Sequence, residues 1–204
     1  MKKRIPIYAK LILILLLSIS VWKNYSYAVE KRQLKNEMLS RSFHAAIDIS
    51  GELEVFLTEL DSGTLNYEEA EQKLIKISHH FMELHCSLRT FAAYFPPSGV
   101  HRNSYTGMYD FEFVAETLTG VQGELNGNEY WGIMYDNAIS DKEIEYLKIL
   151  KKEIDRMIDS LSSKTDKFSM IDNISIACVD DAINHFVDKW DIFDEESPLY
   201  LLFE

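Results

Sequence analysis

Three groupings of side chains have types and spacings that could do chemistry. His79, Glu83 and Cys86 stand at i, i+4 and i+7, with His80 and His85 beside them, which is the spacing of metal ligands on one helical face. Asp181, His185 and Asp188 repeat that spacing, pairing an imidazole with two carboxylates of the kind zinc or a harder cation takes. Glu112 and Glu116 stand at i, i+4, a carboxylate pair of the sort that divides general acid and base work.

The surrounding pattern sets a bland reading beside each of these. The apolar seam of the segment holding His79 places His79 and Cys86 at heptad position f and Glu83 at c, facing away from the seam, where a closed ligand shell has no second helix to draw on. Asp181, His185 and Asp188 run along the edge of an apolar face, so a metal there needs a ligand from a neighbouring helix, and the alternative is a helix edge on which acids flank a histidine. A carboxylate pair on a helix facing water is ordinarily only charge. No Glu-x-x-His occurs anywhere in the chain, which excludes the di-iron carboxylate bundles. Gly-x-Ser-x-Gly, His-Glu-x-x-His and Gly-rich phosphate loops are absent as well. The expectation is a non-catalytic protein with no metal and no cofactor.

Those groupings must be held by elements, and the charge pattern divides the chain that supplies them. Residues 1–28 contain five basic residues (Lys2, Lys3, Arg4, Lys10, Lys23) and no acid, so of the 21 basic and 33 acidic residues the remainder holds 16 and 33, a net of −17. Such a field repels nucleic acid and favours cations or basic partners. After the basic leader, an apolar run from Leu11 to Trp22 follows a lone Lys10. Two readings meet here. A basic leader, a short apolar run and Ser26-Tyr27-Ala28 fit a secretory signal cleaved before Val29. The 23 residues from Ile5 to Tyr27 also make a helix of roughly 34 Å, enough to cross about 30 Å of hydrocarbon if Lys10 and Lys23 snorkel. Trp22, Tyr25 and Tyr27 then lie at the outer interface.

No Gly or Pro falls between Pro6 and Gly51, so nothing breaks the helix ahead of a cleavage site. That favours an uncleaved signal-anchor: residues 1–28 as leader and transmembrane helix, meeting membrane lipid through residues 5–27, and residues 29–204 as an extracytoplasmic domain. The basic leader keeps the N-terminus cytoplasmic on either reading.

Downstream, the fold class reads as all-α, an antiparallel helical bundle of four to five helices after the membrane helix. Leu39, Ser42, Ala46, Ile49, Leu53, Phe56 and Leu60 alternate steps of three and four and stop at Asp61-Ser62-Gly63. Asn66 and Glu69 make a capping box, and Ala70, Leu74, Ile77, Phe81, Leu84, Leu88, Phe91 and Phe95 continue the period to Pro96-Pro97. These two helices should form a long antiparallel hairpin. A third helix is expected through Phe111, Val114, Leu118, Val121 and Leu125, weakened by Gly120 and Gly123, and a short extra helix over Glu129–Ala138. Ser140 and Glu143 cap a fourth helix through Leu147, Leu150, Ile154, Met157 and Leu161. A polar link over Ser162–Lys167 leads to a fifth helix from about Ser169 to Trp190, with Ile171, Cys178, Val179, Ala182, Phe186 and Trp190 inward. The apolar tail Ser197–Phe203 should dock on the bundle. No strand pattern with a period of two stands out, and no internal repeat does.

Two further features bear on function. Cys86 and Cys178 lie where a disulfide can form, and across 92 residues it would stabilise by about 4 kcal/mol on a chain-entropy account; two independent thiols are the alternative. Aromatic residues cluster at Tyr94, Phe95, Tyr105, Tyr109, Phe111 and Phe113, with His101 and Arg102 in the loop between, and at Tyr130, Trp131 and Tyr135. The first group could meet headgroups if its loop returns to the bilayer, or else pack the end of the bundle. The second would stand at the far end, within reach of a partner. The chain therefore reads as a single-pass membrane-anchored bundle acting by protein or ligand binding on a partner in the cell envelope, with self-association open. The alternative is a secreted ligand- or metal-binding module released at Ala28.

Overall fold

A computed structural model describes residues 7–95, 109–120, 123–125, 128–134, 136–190 and 196–202. The chain divides into two units, Met1–Glu37 and Met38–Glu204. In the first, helix α1 (Ile7–Asp61) begins, and its apolar window is long and apolar enough to cross a membrane, with mean hydropathy 1.5 and none of it buried. The helix continues past Ala28 without a break, consistent with the absence of Gly and Pro there.

The second unit is a helical bundle built from the remainder of α1, α2 (Tyr67–Tyr94), α3 (Tyr109–Thr117), α4 (Asp141–Leu161) and α5 (Ile176–Lys189). Ion pairs fix the directions. Lys73 with Glu59 (3.0 Å) and Lys76 with Glu52 (2.6 Å) run α2 antiparallel to α1. Lys151 with Glu54 (2.8 Å), and the Ser50 hydroxyl donating to Asp155, do the same for α4 against α1. The Ser78 hydroxyl donates to the Ala115 carbonyl (2.7 Å) and His85 faces Glu112 (3.8 Å), which sets α3 antiparallel to α2.

Every seam position expected on α2 and α4 is buried, as are those of α1 from Leu39 to Phe56. Only Leu60, in the last turn of α1, is half-buried. Both expected capping boxes form. Asn66 Oδ1 accepts from the Glu69 amide (2.9 Å), and the Ser140 amide donates to Glu143 (2.6 Å) while the Ser140 hydroxyl accepts from the Glu143 amide (3.3 Å). Glu143 carries a second load, because its other oxygen accepts from the Met134 amide (2.7 Å). Met134 has φ +64°, a conformation an L-residue adopts only when its surroundings hold it. Glu143→Ala therefore loses a cap and the anchor of a strained turn together. It should lower stability by about 1–2 kcal/mol, more than Ser140→Ala, in denaturant unfolding of the full chain in detergent.

Three local expectations are corrected. The third helix stops at Thr117 rather than reaching Leu125: Gly120 turns the chain with φ +71°, and the Thr117 carbonyl takes the Ile133 amide (2.8 Å) in place of a further helical donor. The extra helix over Glu129–Ala138 is instead a strand followed by turns. Strand β1 (Gly123–Leu125) pairs antiparallel with β2 (Asn128–Tyr130), and positive φ at Met134 and Asn137 excludes a right-handed helix. The fifth helix starts at Ile176, capped by the Ser175 hydroxyl (3.1 Å to the Cys178 amide), not near Ser169.

Before α5, β3 (Ser162–Ser163) and β4 (Asp166–Met170) form a hairpin in which Asp166 accepts from the Phe168 amide (2.9 Å) and the Ser169 hydroxyl (2.6 Å). Those two bonds hold the Asp166 carboxyl below its usual range. Strands this short are too brief for a period of two to show. The C-terminal 3-10 turn Pro198–Leu202 buries Leu199 and Leu202 and packs on α4, and the Leu202 carbonyl accepts from the Trp131 amide (3.4 Å). The expected docking of the tail is realised over these residues.

Candidate functional site

The face with the plainest physical demand is the apolar half of α1. Leu11 to Leu17 are 57–61% exposed, seven consecutive Leu and Ile side chains of which none is buried. Burying each is worth about 1.5–3 kcal/mol, so together they supply roughly 10–20 kcal/mol to any apolar phase that accepts them.

The histidine-rich face of α2 lies as the register reading places it. His79, Glu83 and Cys86 are exposed and His80 half-buried, its ring 3.9 Å from Glu83. His85 behaves differently: it is buried and turned toward Glu112 on α3. The heptad seam through Leu84 and Leu88 does not include it, and only the packing of α3 selects it.

The trio on α5 is also divided by tertiary contacts. His185 Nε2 meets Glu153 on α4 (3.2 Å), and Arg156 contacts both that nitrogen and Glu153 (3.5 Å). Glu153 is buried, whereas Arg156 and His185 reach solvent. The buried carboxylate thus has a guanidinium and an imidazole on one side, and its contact with the imidazole links α4 to α5. Asp181 shares an open groove of about 380 Å³ with Arg156, Met157, Ser160, Cys178 and His185, while Asp188 does not line it. Sequence reasoning missed Glu153 and Arg156 because their partner is 29 or more residues away. Among the described residues no group of three His, Cys, Asp or Glu side chains is placed to hold a metal ion. Cys86 is exposed, Cys178 half-buried, and both are free thiols.

Glu112 and Glu116 lie on α3 with Glu112 beside His85. Burial, then the neighbouring Glu112 charge, raises the Glu116 carboxyl above its usual range. A carboxyl raised on folding binds its proton more tightly in the folded chain. Its contribution therefore falls as pH rises from the ordinary carboxylate range through the raised value, and at neutral pH it is unfavourable. Glu116→Gln should raise the melting temperature at pH 7 and leave it unchanged below about pH 4, in thermal melts at the two pH values.

Between α1 and α4, Lys151 bridges Asp155 (2.7 Å) and Glu54 (2.8 Å). Burial acts to lower its basicity, but hydrogen bonds and charges from both carboxylates outweigh it and hold the ammonium above its usual range. Of the expected aromatic clusters, Phe95 stacks on Phe91 (5.2 Å) and Phe111 on Phe186 (4.4 Å), both inside the core, and Tyr94 is exposed. His101, Arg102, Tyr105 and Tyr135 lie outside the described residues.

One more concavity stands at the end of the bundle where α2 begins and α3 ends. It is an open groove of about 290 Å³ lined by Tyr67, Glu71, Leu74, Ile75, Leu118 and the turns at Gly120 and Ile133–Met134. These features define an all-α helical-bundle protein with one N-terminal helix long and apolar enough to span a membrane. No protein-family model, curated protein or solved structure matches the chain.

Proposed function

We propose that this chain is a single-pass membrane protein, its N-terminus cytoplasmic and its bundle outside, that acts by binding a protein partner in the cell envelope and not by catalysis. The observation that carries the anchoring is the uncovered Leu and Ile surface of α1. The helix runs unbroken past Ala28, which supports retention over cleavage, since a cleavable signal ordinarily has a helix breaker before its cut site. Lys2, Lys3 and Arg4 support the orientation. The net −17 of residues 29–204 supports a partner that is basic where it touches the bundle.

The exposed Cys86 supplies the test. In a Cys178→Ser background, a membrane-impermeant maleimide added to intact cells should label Cys86 as fully as it does after lysis. The purified chain should keep residues 1–28 by mass and stay in the membrane pellet through alkaline carbonate. Labelling that requires lysis would overturn the orientation. A soluble chain starting at Val29 would instead establish the secreted alternative.

A further inference from the structure

Between α1 and α4 runs an open groove of about 360 Å³, with Ile47 and Gly51 of α1 on one wall and Phe168 of the β3–β4 hairpin at its edge. Its polar side chains are turned on one another. Lys151 holds Glu54 and Asp155, Ser50 donates to Asp155, and Lys167 pairs with Asp159 (3.1 Å). The surface left open in the groove is therefore mainly apolar. An apolar cavity of about 150 Å³ is enough to hold a benzene ring, yet the ring beside this one is 73% exposed. The hairpin keeps it at the rim, because Asp166 ties down the Phe168 amide (2.9 Å) and the Ser169 hydroxyl (2.6 Å).

Gly51 is a second, separate sign. It lies inside α1 on the exposed side, and a β-carbon built there meets nothing within 4 Å. Its φ is not positive. Neither the packing of one chain nor its backbone thus calls for glycine where alanine makes a better helix, whereas close approach by a group from outside does. Charge says which group. The hairpin, residues 162–170, carries Lys164, Asp166 and Lys167, a net of +1 in a domain of net −17. The groove walls carry Glu54, Asp155 and Asp159 against Lys151, a net of −2. The bundle therefore presents, beside an acid-walled apolar groove, a basic segment tipped with an unburied ring. Ring and groove share one face, so a two-fold axis beside it carries each ring into the other copy's groove and closes the contact at two chains.

We propose that the α1/α4 groove receives the β3–β4 hairpin of a second copy of this chain, Phe168 of each lying over Gly51 and against Ile47 of the other, with Lys164 meeting Glu54. This goes beyond the partner binding proposed above and does not depend on it. One ring each way makes a weak dimer, with Kd above about 10 µM, so the chain is monomeric at the concentrations of an unfolding experiment.

The test is sedimentation equilibrium of the full chain in density-matched non-ionic detergent, joined to disulfide trapping. The weight-average mass should rise towards two chains with concentration, and Gly51→Leu, which fills the groove, should weaken that association at least about tenfold. Phe168→Ala should do the same, and Lys164→Glu/Lys167→Glu should weaken it in low salt. Circular-dichroism melts report folding, and Gly51→Leu should melt no lower than the unaltered chain. For trapping, two differently tagged chains lacking Cys86 and Cys178 (both changed to Ser) are mixed, one with Gly51→Cys and the other with Phe168→Cys, which leaves one ring-in-groove contact intact. Copper phenanthroline should link them at least about tenfold faster than when Glu71→Cys, exposed on α2, replaces Gly51→Cys. A mass that stays at one chain, association indifferent to Gly51→Leu and Phe168→Ala, or equal trapping at Glu71→Cys would each overturn the proposal.

Discussion

Phe186→Ala is expected to destabilise the bundle by about 3–5 kcal/mol, as measured by denaturant unfolding of the full chain in detergent. Phe186 is 1% exposed and stacks on two fully buried rings, Phe111 of α3 (4.4 Å between centroids) and Trp190 at the end of α5 (5.6 Å). Trp190 in turn meets Tyr146 of α4 edge-on (5.2 Å), and the Tyr146 hydroxyl is bonded to Thr117 of α3 (2.8 Å). One ring therefore stands in a chain of contacts joining three helices. Removing it opens a cavity whose walls are themselves rings with few alternative positions, so the site relaxes little and the cost falls in the upper part of the range for large-to-small changes. Phe168→Ala is the internal control. That ring is 73% exposed on the β3–β4 hairpin, and its loss should change stability by less than about 0.5 kcal/mol. Similar losses in the two variants would mean that the aromatic stack does not organise the core.

Leu15→Arg together with Leu16→Arg is expected to abolish stable membrane insertion. These positions lie near the middle of the apolar run, where an arginine costs about 2.5–3.5 kcal/mol and cannot easily snorkel to either surface. Two of them remove roughly 5–7 kcal/mol on the same scale. The fraction resisting alkaline carbonate should collapse, whereas Leu15→Ala/Leu16→Ala should leave it in place. The bundle residues are unaltered by either change, so near-ultraviolet circular dichroism of the core aromatics should be retained. An arginine variant that still pellets with the membrane would show that the apolar run of α1 is not what holds the chain there.

The parts of this molecule that were legible in advance are those whose determinants are local. The seams of α1, α2 and α4 repeat over several turns, so the buried face follows from the period of the helix alone. Asn66–Glu69 and Ser140–Glu143 are capping pairs three residues apart, and both starts are found where they predict. The apolar run in α1 needs no partner to be recognised, only length and hydropathy. Where local signals conflict, tertiary contacts decide the outcome. Val121 and Leu125 continue a helical period, but Gly120 in the left-handed region ends it. Ser162–Met170 looked like polar linker and the start of a helix, yet it closes into a hairpin through Asp166 and its neighbours. Glu129–Ala138 carries helix-compatible residues whose backbone groups are claimed by β1, Thr117, Glu143 and Leu202.

The candidate sites divide along the same line. Residues i, i+4 and i+7 on one helix can be read directly, which is why His79, Glu83 and Cys86 and the Asp181, His185 and Asp188 trio stood out. What each side chain does depends on the helix opposite. Glu153 and Arg156 claim His185, Glu112 faces His85, and Lys73 and Lys76 pair with Glu59 and Glu52 of α1. By itself, then, the order of residues determined a basic, greasy leader and an acidic set of amphipathic helices with their starts and inward faces. Which helices became neighbours, and hence which charges were neutralised and which left facing water, was decided only by tertiary packing. Helical period and caps are encoded within a few residues, whereas a pairing between residues dozens of positions apart depends on the shape complementarity of whole faces, for which a single chain carries no local mark.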